Sequence, residues 1–286
     1  MALYKIVEEE ATLHLSKGNN KIGKGIWSFS TLPGNKDHLI YIGKGGEKQL
    51  LTEIPGTCSK YCDGCAHDGA CYAWRDAKLH HNAVIKAWCD NTLLLRNGRL
   101  WDELETFIAK KNRRAKKILD QSAENIAEAR EKAVIKIFRI HVSGEIENLD
   151  ELRHWDAIAS AHPETTFAMY TKNFDALGAY LDEKKGVSPE NLIINASEWH
   201  RVAANFIDKY SVKYPGAFNV FEYDDHNKKD CDLPVEEKVR LEALPHCAAV
   251  GRDGKHRSFP NGDPITCDKC MHCYRKHGNR IAVWSH

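Results

Sequence analysis

Three cysteines open the chemistry of this chain. Cys58-Ser-Lys-Tyr-Cys62-Asp-Gly-Cys65 places thiols at x3 and x2 spacing, and Cys71 follows in Cys71-Tyr72-Ala73. Thiolates so close in sequence can converge on one metal centre. A second group lies near the C-terminus, where Cys267-Asp-Lys-Cys270-Met-His-Cys273 contains two overlapping Cys-x2-Cys spacings and Cys247 stands upstream. Four thiolates can hold an iron–sulfur cluster or a zinc ion. His246, His272 and His277 are nearby and read as loop polar residues rather than ligands. Cys89 falls within a helical pattern and reads as a small packing residue.

The third candidate cluster is Arg139-Ile-His141-Val-Ser143-Gly144-Glu145. If the strand runs through it, Arg139, His141, Ser143 and Glu145 share one face. Polar residues near the C-terminal end of a barrel strand suit an active site. His141 and Glu145 are then candidates to move protons. Tyr170 with Lys172, and Asn195 with Ser197, repeat the pattern more weakly on later strands.

These residues need a scaffold. The chain has 286 residues, ten of them cysteine, and a formal net charge of +1. So balanced a charge gives no global field to recruit nucleic acid or a membrane surface. No apolar stretch reaches membrane-span length, and the first residues lack a signal-peptide pattern. A reducing cytoplasm is expected, where clustered cysteines bind metal or do redox chemistry instead of forming disulfides. No Gly-x-Ser-x-Gly elbow supports a serine esterase.

A single domain is expected, with an N-terminal β extension over 1–56, a barrel over 57–250 and a Cys-rich segment over 251–286. Residues 3–7 and 23–31 read as strands. The runs at 39–42 and 49–54, joined by glycines 43–46, read as a hairpin; no Gly-Lys-Ser/Thr makes them a phosphate loop. Helices are expected at 74–95, from Trp101 into the basic run 110–117, and at 121–132. Strands then alternate with helices: strands at 133–142, 165–170, 191–196, 217–223 and 247–250, helices at 148–161, 174–185, 198–210 and 235–243. This alternation predicts an α/β fold with mainly parallel strands, a barrel or an open sheet.

Taken together, the motifs resemble known families. Cys58-x3-Cys62-x2-Cys65 is similar to the cluster motif of radical S-adenosylmethionine (SAM) enzymes, and Ser143-Gly144-Glu145 resembles their Gly-Gly-Glu motif. Gly25-Ile-Trp-Ser-Phe-Ser, Thr57-Cys58, Cys71-Tyr72-Ala73, the 139–145 segment and the C-terminal cysteines together resemble the phage-encoded gene product 88 family, described as radical-SAM-like and iron–sulfur binding. The resemblance implies a partial (β/α) barrel with a 4Fe-4S cluster at its mouth. Cys58, Cys62 and Cys65 would ligate it. Ser143, Gly144 and Glu145 would meet the SAM amino group, and Asn195 and Ser197 the ribose. Two departures stand out: Gly64 replaces an aromatic residue before the third cysteine, and Ile146 replaces the common proline after Glu145. The ligand set therefore stays open among Cys58, Cys62, Cys65 and Cys71, and the centres number one or two, with zinc an option at Cys247, Cys267, Cys270 and Cys273.

Two function classes follow. One is an iron–sulfur enzyme, either SAM-dependent or using an open iron as a Lewis acid in a hydrolase or lyase with His141 and Glu145, or Asp63 and His67, moving protons. The other is a non-catalytic iron–sulfur or zinc binding or redox-sensing protein. The expected partners are a small-molecule substrate and a reductant protein, in the host cytoplasm if the chain is phage-encoded.

Overall fold

The structure is a computed structural model. It describes the chain apart from residues 1–7, 19–21, 24, 35–39, 43–47, 51, 63–70, 72, 74–80, 122–134, 199–202, 225–232, 254, 256 and 285–286. The readings at 3–7 and 121–132, and Cys65, Asp63 and His67, lie outside or almost wholly outside the described residues.

Strands β1 (Ser16–Lys17) and β2 (Trp27–Ser28) come first, followed by β3 (Ile40–Ile42) and β4 (Lys48–Leu50). Helices α1 (His81–Arg96) and α2 (Arg99–Gln121) follow, then β5 (Ile137–Ile140), α3 (Leu149–Ala161), β6 (Thr166–Thr171), α4 (Phe174–Lys184), β7 (Leu192–Glu198), α5 (Ala204–Lys213), β8 (Asn219–Asp224), α6 (Val235–Glu242), the one-turn α7 (Cys267–Cys270) and β9 (Arg280–Trp284). Among the described residues, β1-β2-β5-β6-β7-β8-β9 form a seven-stranded sheet, and β3-β4 a separate pair. Only β1 is antiparallel in the large sheet; β2, β5, β6, β7, β8 and β9 run parallel. The fold is therefore α/β and mostly parallel, as the alternation predicts. The expected hairpin is present, β3 pairing antiparallel with β4.

The period-two alternation of each strand sorts its residues to two faces. Phe138 and Ile140, Phe167 and Met169, and Leu192 and Ile194 pack with Leu104, Trp155, Leu177 and Ile207 of the helices. Ile137, Ala168 and Ile193 point to the other, inner face, where Ile22, Ile26 and Tyr274 meet them. Trp155 is fully buried and packs near the rings of Phe29, Phe138 and Phe167. Truncating such a side chain costs about 3–5 kcal/mol.

Four expectations need correction. Residues 247–250 form no strand: Ala248 and Ala249 lie in a turn, flanked by single bridges at His246, paired with Ala282, and at Val250, and the last strand is β9 instead, buried from Ile281 to Trp284. The strand expected at 191–196 continues through Glu198, where a helix is expected to begin, and the buried Glu198 carboxylate pairs with Arg280 of β9. Strand β5 ends at Ile140, shorter than expected. His141 takes a left-handed φ of 50°, which breaks the alternation; His141, Ser143 and Glu145 therefore belong to a loop and do not share the inner face with Arg139.

Candidate metal and cofactor site

The loops after β2, β5 and β6 meet at one edge of the sheet. Residues beyond β2 run beside those beyond β5: Phe29 N donates to Arg139 O, Val142 N to Phe29 O and Thr31 N to Ser143 O. The Cys58 segment is laid on this frame. Thr57 N donates to Leu32 O, and Cys58 N to Gly34 O. Gly56 lies so close to the carbonyls of Pro33 and Gly34 that a Cβ would meet them at 2.4 and 2.1 Å. Arg96, at the end of α1, grips Pro55 O at 2.8 Å and Gly56 O at 3.2 Å while its guanidinium pairs with Glu147.

Within this frame the backbone N–H of Glu145 donates to Thr57 Oγ1 at 2.8 Å. The Thr57 hydroxyl also meets Thr31 Oγ1 at 2.9 Å, and Thr31 Oγ1 meets His141 Nδ1 at 3.0 Å. Gly144 sits over this pair of hydroxyls with φ +82°; a Cβ there would lie 2.0 Å from Thr31 Oγ1 and 2.6 Å from Thr57 Oγ1. Only glycine fits, on both conformational and steric grounds.

The Glu145 carboxylate is buried and accepts from Ile146 N at 2.9 Å and Lys172 N at 2.7 Å. Burial pushes its pKa up, against the Lys172 charge and these hydrogen bonds, which favour the carboxylate. Its charge is felt by both Cys58 and Cys62. Ser59 Oγ donates to Lys172 O at 3.3 Å, so Lys172 joins the cysteine loop to Glu145. Asn173 caps α4 through Ala176 N and donates to Ile146 O and Glu147 O, tying the loop after β6 to the loop after β5.

Cys58 and Cys62 hydrogen-bond each other. Cys58 donates toward Cys62, which together with burial holds its own pKa well above the thiol range. The bond from Cys58 pulls Cys62 down, helped by the Lys172 charge and Ser59. Cys58 Sγ also accepts from Gly34 N at 3.0 Å. The 3-10 turn Lys60–Cys62 is held outside by Tyr61, whose hydroxyl reaches Asp175 at 2.9 Å and whose ring packs on Phe174. A cleft of ≈ 430 Å³ opens beside it, lined by Ser59, Lys60, Glu147, Asn148, Asn173 and Asp175 among others.

His141 is placed differently from its expected role. It is buried, and both ring nitrogens are engaged, Nδ1 with Thr31 and Nε2 with Glu151 Oε1 at 2.5 Å. Trp155 Nε1 and Glu147 N hold the same Glu151 carboxylate. His141 therefore joins α3 to the Thr31–Thr57 pair and has no ring nitrogen left to offer a substrate. Ser143 keeps one polar atom in reserve: its Oγ is buried and has no hydrogen-bond partner. Asn195 lies on the inner face, where its amide is taken by Met169 O at 3.0 Å, Cys273 O at 3.1 Å and Asn219 at 3.1 Å. The amide is thus engaged within the fold. Ser197 is buried on β7.

The gene product 88 family model matches residues 13–276. The chain belongs to the gene product 88 family. That span includes every described residue of the site. No curated protein and no solved structure matches the chain.

Sequence reasoning reached most of this family member's site and missed Thr31, Glu151 and Asn173. Two of these carried a readable signal. Asn148 and Asn173 stand just before helical runs, as N-caps do, and Glu151 is three residues after Asn148, the spacing of a capping box. Nothing marked Thr31. Cys71 is half-buried, and Cys89 is buried, with its thiol pushed up to about 12 mainly by that burial. Among the described residues no group of three or more His, Cys, Asp or Glu is arranged to hold a single metal ion. Nor is any described helix long and apolar enough to cross a membrane.

Proposed function

We propose that this chain is an iron–sulfur protein of radical-SAM-like type, with a 4Fe-4S cluster at the C-terminal mouth of a partial (β/α) barrel. The six parallel strands supply the sheet of that barrel. The observation that carries the reading is the seating of Cys58 and Cys62 against Ser143-Gly144-Glu145 through the Thr57–Glu145 hydrogen bond. The donor set fits the group. Cys58 and Cys62 already hydrogen-bond each other, and Cys71 or Cys65, near in sequence, would complete a three-thiolate set. When bound, such a cluster with one open iron supplies the one-electron reduction that cleaves SAM.

The chain's own residues perform the rest. Gly144 lets the backbone lie flat on the two threonine hydroxyls, which fixes the amides on either side. Ser143 Oγ, buried without a partner, is the polar group available to a cofactor amine or carboxylate. Glu145, held from two sides by amides, sets a negative charge beside Cys58 and Cys62, where it also suits an ammonium group. Asn173 and Arg96 hold the two loops together from outside.

The test is anaerobic reconstitution with iron and sulfide, reduction by dithionite in the presence of SAM, and quantification of 5′-deoxyadenosine. Formation of that product, lost in Cys58→Ser, is the expected result. Iron-loaded protein that neither binds SAM nor makes it would leave the Lewis-acid hydrolase or lyase and the non-catalytic readings.

A further inference from the structure

The C-terminal cysteines are built into the inner face of the sheet. Cys267 opens α7 and Cys270 closes it. Met271 then takes a left-handed φ of 58°, turning the chain so that Cys273 enters the 3-10 turn His272–Tyr274. Two buried asparagines, paired across β7 and β8, pin this loop. Asn195 Nδ2 donates to Cys273 O, Asn219 Nδ2 donates to Arg275 O at 2.9 Å, and Asn219 Oδ1 accepts from the amides of His277 and Gly278. Cys247 arrives from the other side, its N–H on Ala282 O of β9 at 2.8 Å.

The four thiols lie within electrostatic reach of one another. Cys247 feels Cys270; Cys267 feels Cys247 and Cys270; Cys273 feels all three. Polar groups of the sheet close around them. Tyr170 hydrogen-bonds Cys273, Tyr274 meets Cys267, and the Arg139 guanidinium, 4.7 Å from the Tyr170 ring centroid, acts on Cys267. Two buried asparagines spent on a single loop, and a guanidinium beside Cys267, are more than a surface turn needs.

We propose that Cys247, Cys267, Cys270 and Cys273 hold a second iron–sulfur cluster, closed by four thiolates, that straps the C-terminal segment to the inner face of the sheet and stores one electron. This rests on the iron–sulfur reading above. A cluster suits these thiols better than zinc. Tetrahedral Zn–S bonds require sulfurs about 3.8 Å apart, and no three of these residues are arranged for a single ion. A cluster spreads its ligands over several metal atoms. Storage involves one electron from a one-electron donor protein of ferredoxin type, or from dithionite in the test. The donor is oxidised by one electron and the cluster reduced by one, with no bond made or broken. Tyr170 and Arg139 place a hydroxyl donor and a positive charge beside the sulfurs, both of which favour the more negative reduced state. Tyr170 is two residues before Lys172, about 7 Å of extended chain, so this centre adjoins the one at the sheet edge.

The experiment uses the full chain, reconstituted anaerobically, with metal analysis and electron paramagnetic resonance after dithionite reduction. Wild type is expected to hold about eight irons. Cys247→Ser/Cys270→Ser and Cys58→Ser/Cys62→Ser are each expected to hold about half of that, with different surviving signals. The proposal is overturned if the first variant keeps the wild-type iron, or if it loses zinc instead of iron. Wild type with no iron would sink the reading above as well; four irons lost only with Cys58 and Cys62 would spare that reading and sink this one. Should the first variant fail to fold, Tyr170→Phe serves: iron content is expected to stay, and one of the two midpoint potentials to move negative. Two unchanged potentials would overturn the proposal.

Discussion

Glu145 and Thr57 are joined by a backbone-to-hydroxyl hydrogen bond of 2.8 Å, across 88 residues of sequence. The bond sets the loop after the second parallel strand of the large sheet directly against the residue before Cys58. Everything proposed for the sheet edge depends on that registration, and the residues around it yield separate tests.

Gly144→Ala should damage the frame more than an ordinary surface change. The new Cβ would enter the space of the Thr31 and Thr57 hydroxyls, and alanine would have to adopt φ +82°. A loss of about 2–4 kcal/mol in urea unfolding is expected. Wild-type stability would show that the loop sits elsewhere.

His141 and Glu151 give the pH dependence. Burial pushes His141 down, but the Glu151 carboxylate overrides it, with Glu145 and Glu147 adding, so its pKa is raised. A raised histidine contributes stability that is full below the unfolded value, about 6.5, and is lost as pH rises through the folded value. Glu151→Gln removes the partner of a buried pair and is expected to cost about 3–5 kcal/mol. It should also flatten the decline in stability above neutral pH. Urea midpoints measured between mildly acid and alkaline pH decide this; an unchanged decline in the variant would exclude the pair as its source.

How much of this was legible is clearest at β5 and β9. The β-branched run announced β5, and the helix–strand alternation announced a parallel α/β sheet. The polar alternation through Glu145 misled because the left-handed turn at His141 is imposed by tertiary contacts with Thr31 and Glu151, which no local pattern encodes. Strand β9 was missed because its run is short and follows a polar cysteine loop. Its pairing with β8 supplies what local propensity does not. Cys58, Cys62 and Glu145 could be grouped from spacing and motif alone. Their registration through Thr31 and Asn173 could not.

Asn195 offers a test of position. Its amide holds Cys273 O and Asn219, so Asn195→Ala should loosen the C-terminal loop while leaving SAM affinity unchanged. Limited proteolysis after residue 270 is expected to accelerate several-fold. A selective loss of SAM binding with the loop still protected would return Asn195 to the cofactor.

Asn173→Ala removes the α4 cap, about 1 kcal/mol, together with both bonds to Ile146 O and Glu147 O. The reconstituted variant should retain less iron than wild type, with the loss confined to the signal that depends on Cys58 and Cys62. Equal iron content would show that this clamp does not serve the metal.

The most direct measurement is 5′-deoxyadenosine formed by the anaerobically reconstituted, dithionite-reduced chain supplied with SAM. Wild type should form it and Cys58→Ser should not, while the Cys247→Ser/Cys270→Ser variant keeps the cluster signal of the sheet edge. Fully iron-loaded wild type that forms none, with a cluster signal unmoved by SAM, would contradict the radical-SAM-like reading.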